Sequence, residues 1–186
     1  KPRSVHNGKS IECYRIELGL VLAEKETIVK KDYIVCGVPS SGLIYAESYS
    51  NKLNLNLSNI IKKNKSSNRS FIESSQMKRE DKCKHKFIFD EDKIRDKKII
   101  IVDDSIVRGT VIKYIISKFK EYGAKEIHIR IPSPPVIDKC DFGIDIPTNT
   151  ELLAYNRSMD EIKNILKIDS ISYLTIEELN SVLPEN

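Results

Sequence analysis

The segment that most restricts the fold is an apolar run that ends in two adjacent acids. Lys98 is followed by four β-branched residues and then by Asp103 and Asp104. Such a run is typical of a central strand in a parallel sheet, where both faces are buried. A short polar turn, residues 105–110, follows, and apolar residues then recur at helical spacing over 111–122. The segment therefore predicts a strand, a turn and a helix, the repeating unit of an α/β fold.

The rest of the chain alternates between helix and strand in the same way. Helical spacing of apolar residues and short apolar runs closed by turn residues identify the further elements. The predicted elements are helices over 10–24 and 43–52 and strands over 33–38, 55–61 and 126–131. His128 alternates with isoleucines in the last strand, and we expect it to face outward. The pattern predicts a mostly parallel central sheet flanked by helices.

Two segments depart from this alternation. Residues 62–98 hold 13 Lys/Arg and 7 Asp/Glu, which leaves little apolar surface to bury, so we expect a long mobile loop with some order returning near Phe87. Residues 150–186 contain two Ser/Thr-x-x-Glu sequences, starting at Ser158 and Thr175, which match the capping box that opens a helix. We therefore predict a C-terminal helical segment, within a single domain that spans residues 1–186.

The predicted site lies where two strands end in polar residues. Ligands of open parallel sheets bind at the carboxyl ends of the strands, and here these ends carry Asp103-Asp104 and residues 39–42. Two adjacent carboxylates can accept hydrogen bonds from a diol or hold a hard divalent cation. A turn that leads into a helix N-terminus offers backbone N–H groups and a favourable dipole to a phosphate. Together these groups suit a ribose 5-phosphate.

Composition limits the other function classes. The net charge of +4 is too small an excess to indicate a nucleic-acid partner, although it suits a polyanionic small substrate. The four cysteines are scattered without a Cys-x-x-Cys pair, which favours a reducing, cytoplasmic compartment over a disulfide framework. No run of 18 apolar residues is present, so we expect no membrane partner.

The sequence Val102-Asp103-Asp104-Ser105-Ile106-Val107-Arg108-Gly109-Thr110 resembles the phosphoribosylpyrophosphate motif of amidophosphoribosyltransferases, and more generally that of type I phosphoribosyltransferases. The likeness covers essentially the whole chain. Its other blocks are residues 1–23, 68–72, 130–135, 142–147 and 151–154. The resemblance implies a type I phosphoribosyltransferase fold with a long flexible loop. It implies an enzyme that makes 5-phosphoribosylamine from phosphoribosylpyrophosphate and ammonia at the start of purine synthesis.

The resemblance also implies roles for individual residues. Asp103 and Asp104 would bind the ribose hydroxyls and Mg²⁺, with Ser41 contributing to the metal site. The implied 5-phosphate ligands are Ser105, Arg108, Gly109 and Thr110. The residues implied to face the pyrophosphate are Pro39, Ser40, Ser41 and Gly42. The implied catalytic cations, carried by the loop that closes over the substrate, are Arg69, Lys84 and Lys86.

The chain departs from the family pattern in several ways. The family begins with a glutaminase domain that this sequence lacks, so ammonia would come from solution or from a separate or removed glutaminase. Ser40 stands where the family usually has an acid. Cys140 matches one ligand of iron–sulfur members, but the Cys-x-x-Cys pair is absent, so we expect no cluster. We also expect a homo-oligomer.

Three alternatives stay open at this stage. A phosphoribosyltransferase for a nucleobase would share the central motif but differ in the C-terminal blocks. A regulator of the same fold would bind phosphoribosylpyrophosphate as a signal. A degenerate domain would bind it without turnover.

Overall fold

Five parallel strands form the central sheet of the computed structural model, which describes residues 4–6, 8–28, 32–64, 85–139 and 148–182. In chain order the elements are β1 (Val5–His6), β2 (Lys9–Ser10), α1 (Ile11–Glu24), β3 (Tyr33–Gly37), α2 (Leu43–Leu53), β4 (Asn56–Leu57), β5 (Ile61–Lys63), β6 (Phe87–Phe89), a 3₁₀ turn (Glu91–Lys93), β7 (Lys98–Val102), α3 (Thr110–Glu121), β8 (Glu126–Ile131), a second 3₁₀ turn (Asn149–Glu151), α4 (Met159–Leu166), β9 (Ser170–Tyr173) and α5 (Ile176–Asn180).

The strand order creates a crevice at one edge of the sheet. Across the sheet the strands lie in the order β4-β3-β7-β8-β9, and every neighbouring pair is parallel. The chain therefore adds β4 on one side of β3, and then adds β7, β8 and β9 in turn on the other side. At such a switch point the connections from the two strands leave toward opposite faces of the sheet, which opens a ligand-binding crevice at their carboxyl ends. The predicted α/β fold with a parallel sheet is confirmed.

The central strand β7 is buried on both faces, as its sequence predicts. Ile99 and Ile101 point into one core with α3 and α4, whereas Ile100 and Val102 point into a second core with α1 and α2. All four side chains have no exposed surface. Burial of this run fixes where β7 ends, and hence where the two acids that follow it emerge.

The described parts of the predicted loop over 62–98 contain two paired strands. β5 and β6 form a two-stranded antiparallel sheet, extended by a hydrogen bond from the Asn64 N–H to the Lys86 carbonyl. Ile61 and Phe87 from this pair pack into the α3 core. The single strand predicted over 55–61 is divided, because β4 pairs with β3 while Ile61 turns away to pair with Phe89.

The C-terminal segment contains both predicted helices and one strand that was not predicted. Ser158 and Thr175 cap α4 and α5, and in both helices the glutamate three residues later completes the capping box. Between them, β9 adds an edge strand to the sheet. No helix in the described parts of the chain combines the length and the apolar character that spanning a bilayer requires.

The expectation that His128 faces outward is wrong. Its side chain is buried beside Tyr33, with the ring centroids 5.3 Å apart, and its Nδ1 lies 2.8 Å from the Ser170 hydroxyl. Burial lowers the pKa of His128 and so favours its neutral form. The error arises because β8 lies between β7 and β9, where both faces of the sheet are covered and a polar residue is enclosed as well.

Candidate active site

Asp103 and Asp104 lie at the carboxyl end of β7 in a cavity of about 380 Å³. The Asp103 N–H donates to the Arg130 carbonyl at 3.3 Å, which extends the β7–β8 ladder by one residue. The Asp104 N–H donates to Oδ1 of Asp103 at 2.9 Å. Only 7% of Asp103 is exposed, whereas Asp104 is half-buried. The sheet therefore holds one acid in a fixed position and presents the second to the cavity.

The electrostatics of this pair favour a cation. Burial, followed by the adjacent charge of Asp104, raises the pKa of Asp103 to about 7. Neither acid forms an ion pair with another described residue. A nearby divalent cation reverses such a shift, and Mg²⁺ is commonly held by one or two carboxylates together with substrate phosphates. The described residues contain no cluster of three or more His, Cys, Asp or Glu side chains. The two adjacent carboxylates are the described groups of this cavity that could hold such a cation.

The turn over residues 105–110 presents backbone N–H groups beside the two acids. Within the described ranges, the N–H groups of Ser105, Ile106, Val107, Gly109 and Thr110 make no hydrogen bond. Gly109 has a φ of 78°, a conformation that glycine adopts without strain. It places Thr110 at the start of α3, so the positive end of the helix dipole is directed at the turn. These are the features of a phosphate-binding helix N-terminus.

A second turn, over residues 38–42, forms the opposite wall. The Val38 N–H donates to the Val102 carbonyl at 2.9 Å, and the Gly42 N–H closes the turn onto the Val38 carbonyl at 2.8 Å. The peptide bond between Pro39 and Ser40 is cis. The N–H groups of Ser40 and Ser41 make no hydrogen bond with a described residue. This turn therefore offers a second set of backbone donors within the same crevice.

The structure brings most of the proposed ligands together, but it does not place all of them on the wall. The proposed residues that line the cavity are Pro39, Ser41, Lys86, Asp103, Asp104, Ser105, Arg108, Gly109 and Thr110. Ser40 is exposed, and Gly42 packs beneath its turn. Arg69 and Lys84 lie outside the described residues.

Two features of the site were missed at the sequence level. One is an apolar part of the wall, formed by Val38, Ile106, Val107, Val111 and Ile112. Valine and isoleucine in turns or in the first turn of a helix carry no pattern that distinguishes a cavity wall from a core. The other is that Arg108, expected to bind phosphate, donates from Nε to Glu151 at 2.5 Å. The two residues are 43 positions apart, and no local spacing connects them.

A second, polar cavity of about 410 Å³ lies on the α1 side of the sheet, next to β9. Its central feature is a buried ion pair, in which Arg130 donates from both Nε and Nη2 to the Glu26 carboxylate. Tyr49 donates its hydroxyl to the same carboxylate, and Arg130 Nη1 donates to Ser170. Because the carbonyl of Arg130 accepts the Asp103 N–H, this network also supports the strand next to the acids.

Comparison with known proteins assigns the family. The family model described as the phosphoribosyl transferase domain matches residues 20–132, a range that contains β3, β7 and both turns. The chain belongs to this family. The acids and turns of this phosphoribosyltransferase domain thus lie inside the part that the family model covers.

The relatives of this phosphoribosyltransferase domain include amidophosphoribosyltransferases. It is 39% identical to the enzyme of that name from Archaeoglobus fulgidus, over 96% of this chain and 39% of the relative. It is also 39% identical to the one from Synechococcus elongatus, over 94% of this chain and 35% of the relative. The domain therefore spans less than half the length of these relatives, and the predicted resemblance to them is confirmed.

Solved structures support the same relationship. One is described as the allosteric regulatory enzyme of purine biosynthesis, with a TM-score of 0.83, 35% identity, and coverage of 98% of this chain and 39% of that one. Another is glutamine phosphoribosylpyrophosphate amidotransferase from B. subtilis complexed with ADP and GMP, with a TM-score of 0.83, 34% identity, and coverage of 98% and 40%. The match over nearly the whole phosphoribosyltransferase domain confirms the predicted fold.

Proposed function

We propose that this phosphoribosyltransferase domain transfers the phosphoribosyl group of phosphoribosylpyrophosphate to ammonia, giving 5-phosphoribosylamine and pyrophosphate in the first step of de novo purine synthesis. The observation that carries the proposal is the placement of Asp103 and Asp104 beside the donor-rich turn at the switch point of the sheet. Similarity to amidophosphoribosyltransferases over 96% of the chain supports ammonia, rather than a nucleobase, as the acceptor.

The substrate would lie across the crevice with its two anionic ends on the two turns. The 5-phosphate would accept hydrogen bonds from the N–H groups of the 105–110 turn and from the hydroxyls of Ser105 and Thr110. Asp103 and Asp104 would accept hydrogen bonds from the ribose hydroxyls. The pyrophosphate would face the 38–42 turn and Lys86, with Arg69 and Lys84 as the further cations proposed to contact it.

The chemistry follows from these positions. The bond between the anomeric carbon and a pyrophosphate oxygen breaks, while a bond to the ammonia nitrogen forms. Positive charge develops on the ribose and negative charge on the leaving group, so fixed N–H dipoles and the Lys86 ammonium stabilise the transition state. Neutral ammonia is already a nucleophile, and its excess proton passes to solvent after the attack. A strong general base at the site is therefore not required.

Asp103, Asp104 and Ser41 would hold Mg²⁺ together with oxygens of the substrate. The metal, when bound, neutralises the leaving pyrophosphate and raises its tendency to depart. We further propose that the protein is cytoplasmic and homo-oligomeric, and that it takes ammonia from solution or from a glutaminase domain, either separate or part of a longer chain.

A turnover assay tests the proposal. The chain is incubated with phosphoribosylpyrophosphate, Mg²⁺ and an ammonium salt at alkaline pH, and pyrophosphate release is measured. We expect release by the parent and near-complete loss in the Asp103→Asn/Asp104→Asn double variant. The matched control is Asp96→Asn, an identical change at the opposite end of β7, where the side chain is 71% exposed.

The outcomes separate the alternatives. Equal rates in the parent and the double variant would contradict the site assignment. Release with a nucleobase but not with ammonia would indicate a different phosphoribosyltransferase. Binding of the substrate without release would favour a regulator or a degenerate domain.

A further inference from the structure

The 105–110 turn is supported from outside the cavity by the segment 149–153. Three contacts connect them. Arg108 Nε donates to Glu151 Oε2 at 2.5 Å, and the Leu153 N–H donates to the Val107 carbonyl at 2.8 Å. The Leu153 side chain also packs against Gly109, where an added Cβ would lie 3.2 Å from Leu153 Cδ2. Over its short length, the turn is therefore held by a charge pair, a backbone hydrogen bond and an apolar contact.

These contacts fix the orientation of the peptide groups in the turn. In a trans peptide, the C=O of one residue and the N–H of the next point in opposite directions. Because the Val107 carbonyl is directed at Leu153, the N–H of Arg108 is directed away from the 149–153 segment. The same segment that binds one side of the peptide therefore determines which way the donor on the other side points.

The Arg108–Glu151 pair is the charged element of this support. The two side chains are 21% and 27% exposed, so the pair is partly shielded from solvent. A hydrogen bond between ionised partners is shorter and stronger than one between neutral groups. Glu151 is an acid and is unsuited to contacting a phosphate itself, but its hydrogen bond with Arg108 connects it to the turn.

We propose that Glu151 is a positioning residue for phosphate binding: through Arg108 it holds the 105–110 turn in its donor-presenting shape before the substrate arrives. The proposal rests on the function proposed above, because that function assigns the 5-phosphate to this turn. Groups held in place in advance bind a ligand more tightly, since less freedom is lost on binding. Pyrophosphate, assigned to the 38–42 turn, would be insensitive to Glu151.

The test combines amide hydrogen exchange with binding calorimetry on the whole chain. The variants are Glu151→Ala, which removes the pair, and Glu151→Gln, which retains an acceptor without the charge. The control is Glu121→Ala, which removes an exposed partner of Lys118 on α3. Exchange over 105–110 is measured without ligand, and affinities are measured for ribose 5-phosphate and for pyrophosphate with Mg²⁺.

We expect faster exchange over 105–110 in Glu151→Ala, and roughly fivefold to tenfold weaker binding of ribose 5-phosphate, the range that corresponds to the loss of one net hydrogen bond. Pyrophosphate affinity should stay within about twofold of the parent, and Glu121→Ala should match the parent for both ligands. Glu151→Gln should fall between the parent and Glu151→Ala.

Three results would overturn the inference. Unchanged ribose 5-phosphate affinity in Glu151→Ala would mean that the contact between Glu151 and Arg108 has no role in phosphate binding. Tighter binding would mean that Glu151 competes with phosphate for Arg108. Equal losses for both ligands, in step with thermal stability, would indicate a general weakening of the fold. A parent that does not bind ribose 5-phosphate would instead refute the proposed function, and this inference with it.

Discussion

Gly42 offers the sharpest test of the turn between β3 and α2. A Cβ added there would lie 2.4 Å from the Val102 carbonyl oxygen and 2.9 Å from the Val38 nitrogen. Both neighbours are backbone atoms at the ends of central strands, so no flexible side chain can move aside. Because real Cβ atoms essentially never approach closer than 3.0 Å, the turn must move by at least 0.6 Å relative to β7. Gly42→Ala therefore changes the width of the crevice itself.

The size of the expected loss in activity follows from this displacement. A misplacement of about 1 Å can lower a rate by roughly 100-fold, so we expect Gly42→Ala to lower kcat/KM for phosphoribosylpyrophosphate by about tenfold to 100-fold. Overpacking should also lower the free energy of unfolding by about 1–3 kcal/mol. Pyrophosphate release is assayed over a range of substrate concentrations, after thermal melting has shown that the variant is folded.

The control is Gly123→Ala, which has a φ of 82° and nothing closer than Arg95 at 3.9 Å. It strains the end of α3 without altering the crevice, so it should lose stability but retain the parent's kcat/KM. A folded Gly42→Ala variant with parental kcat/KM would refute the conclusion that this turn sets the geometry of the site.

Three further predictions concern stability. Glu26→Gln leaves Arg130 buried without its charge partner and should lower the free energy of unfolding at neutral pH by about 3–5 kcal/mol. Burial of Glu26 opposes its ionisation, but hydrogen bonds from Arg130 and Tyr49 lower its pKa to about 2 from an ordinary 4.5. The stabilisation that ionised Glu26 provides should thus be complete above about pH 4.5 and vanish as the pH falls toward 2. The free energies of unfolding of parent and variant, measured by urea melts, should therefore converge in acid. Ser158→Ala removes the cap of α4 and should lower the free energy of unfolding by about 1 kcal/mol in the same melts; no change would argue against the cap. Ile101→Ala should lower it by about 2–5 kcal/mol, because its side chain is fully buried beneath α3, and a loss below 1 kcal/mol would contradict that packing.

Local sequence patterns could predict the strand, turn and helix that form the site. Four β-branched residues after Lys98 specify a strand buried on both faces, and the polar turn after Asp104 leads into regularly spaced isoleucines. Each of these patterns extends over only a few consecutive residues, because interactions between residues close in sequence determine these elements. The capping glutamates of α4 and α5 could be predicted for the same reason.

Contacts between distant parts of the chain could not be predicted in this way. Glu26 and Arg130 are 104 residues apart, and their pairing depends on how α1 and β8 are brought together by the sheet. His128 was misplaced because its burial depends on the neighbouring strand β9, which itself went unpredicted. The pairing of Arg108 with Glu151 likewise needs the fold before it can be seen. Periodicity describes one element at a time and contains no information about its neighbours.

The central claim is that the N–H groups of the 105–110 turn bind a sugar phosphate beside Asp103 and Asp104. The most direct measurement is an NMR titration of the isotope-labelled chain with ribose 5-phosphate, following the backbone amides. We predict saturable chemical-shift changes concentrated over 105–110. In a separate titration with pyrophosphate alone, these amides should not shift. Amides over 105–110 that do not respond, with shifts confined instead to the polar cavity around residues 25–28 and 170–172, would contradict the claim.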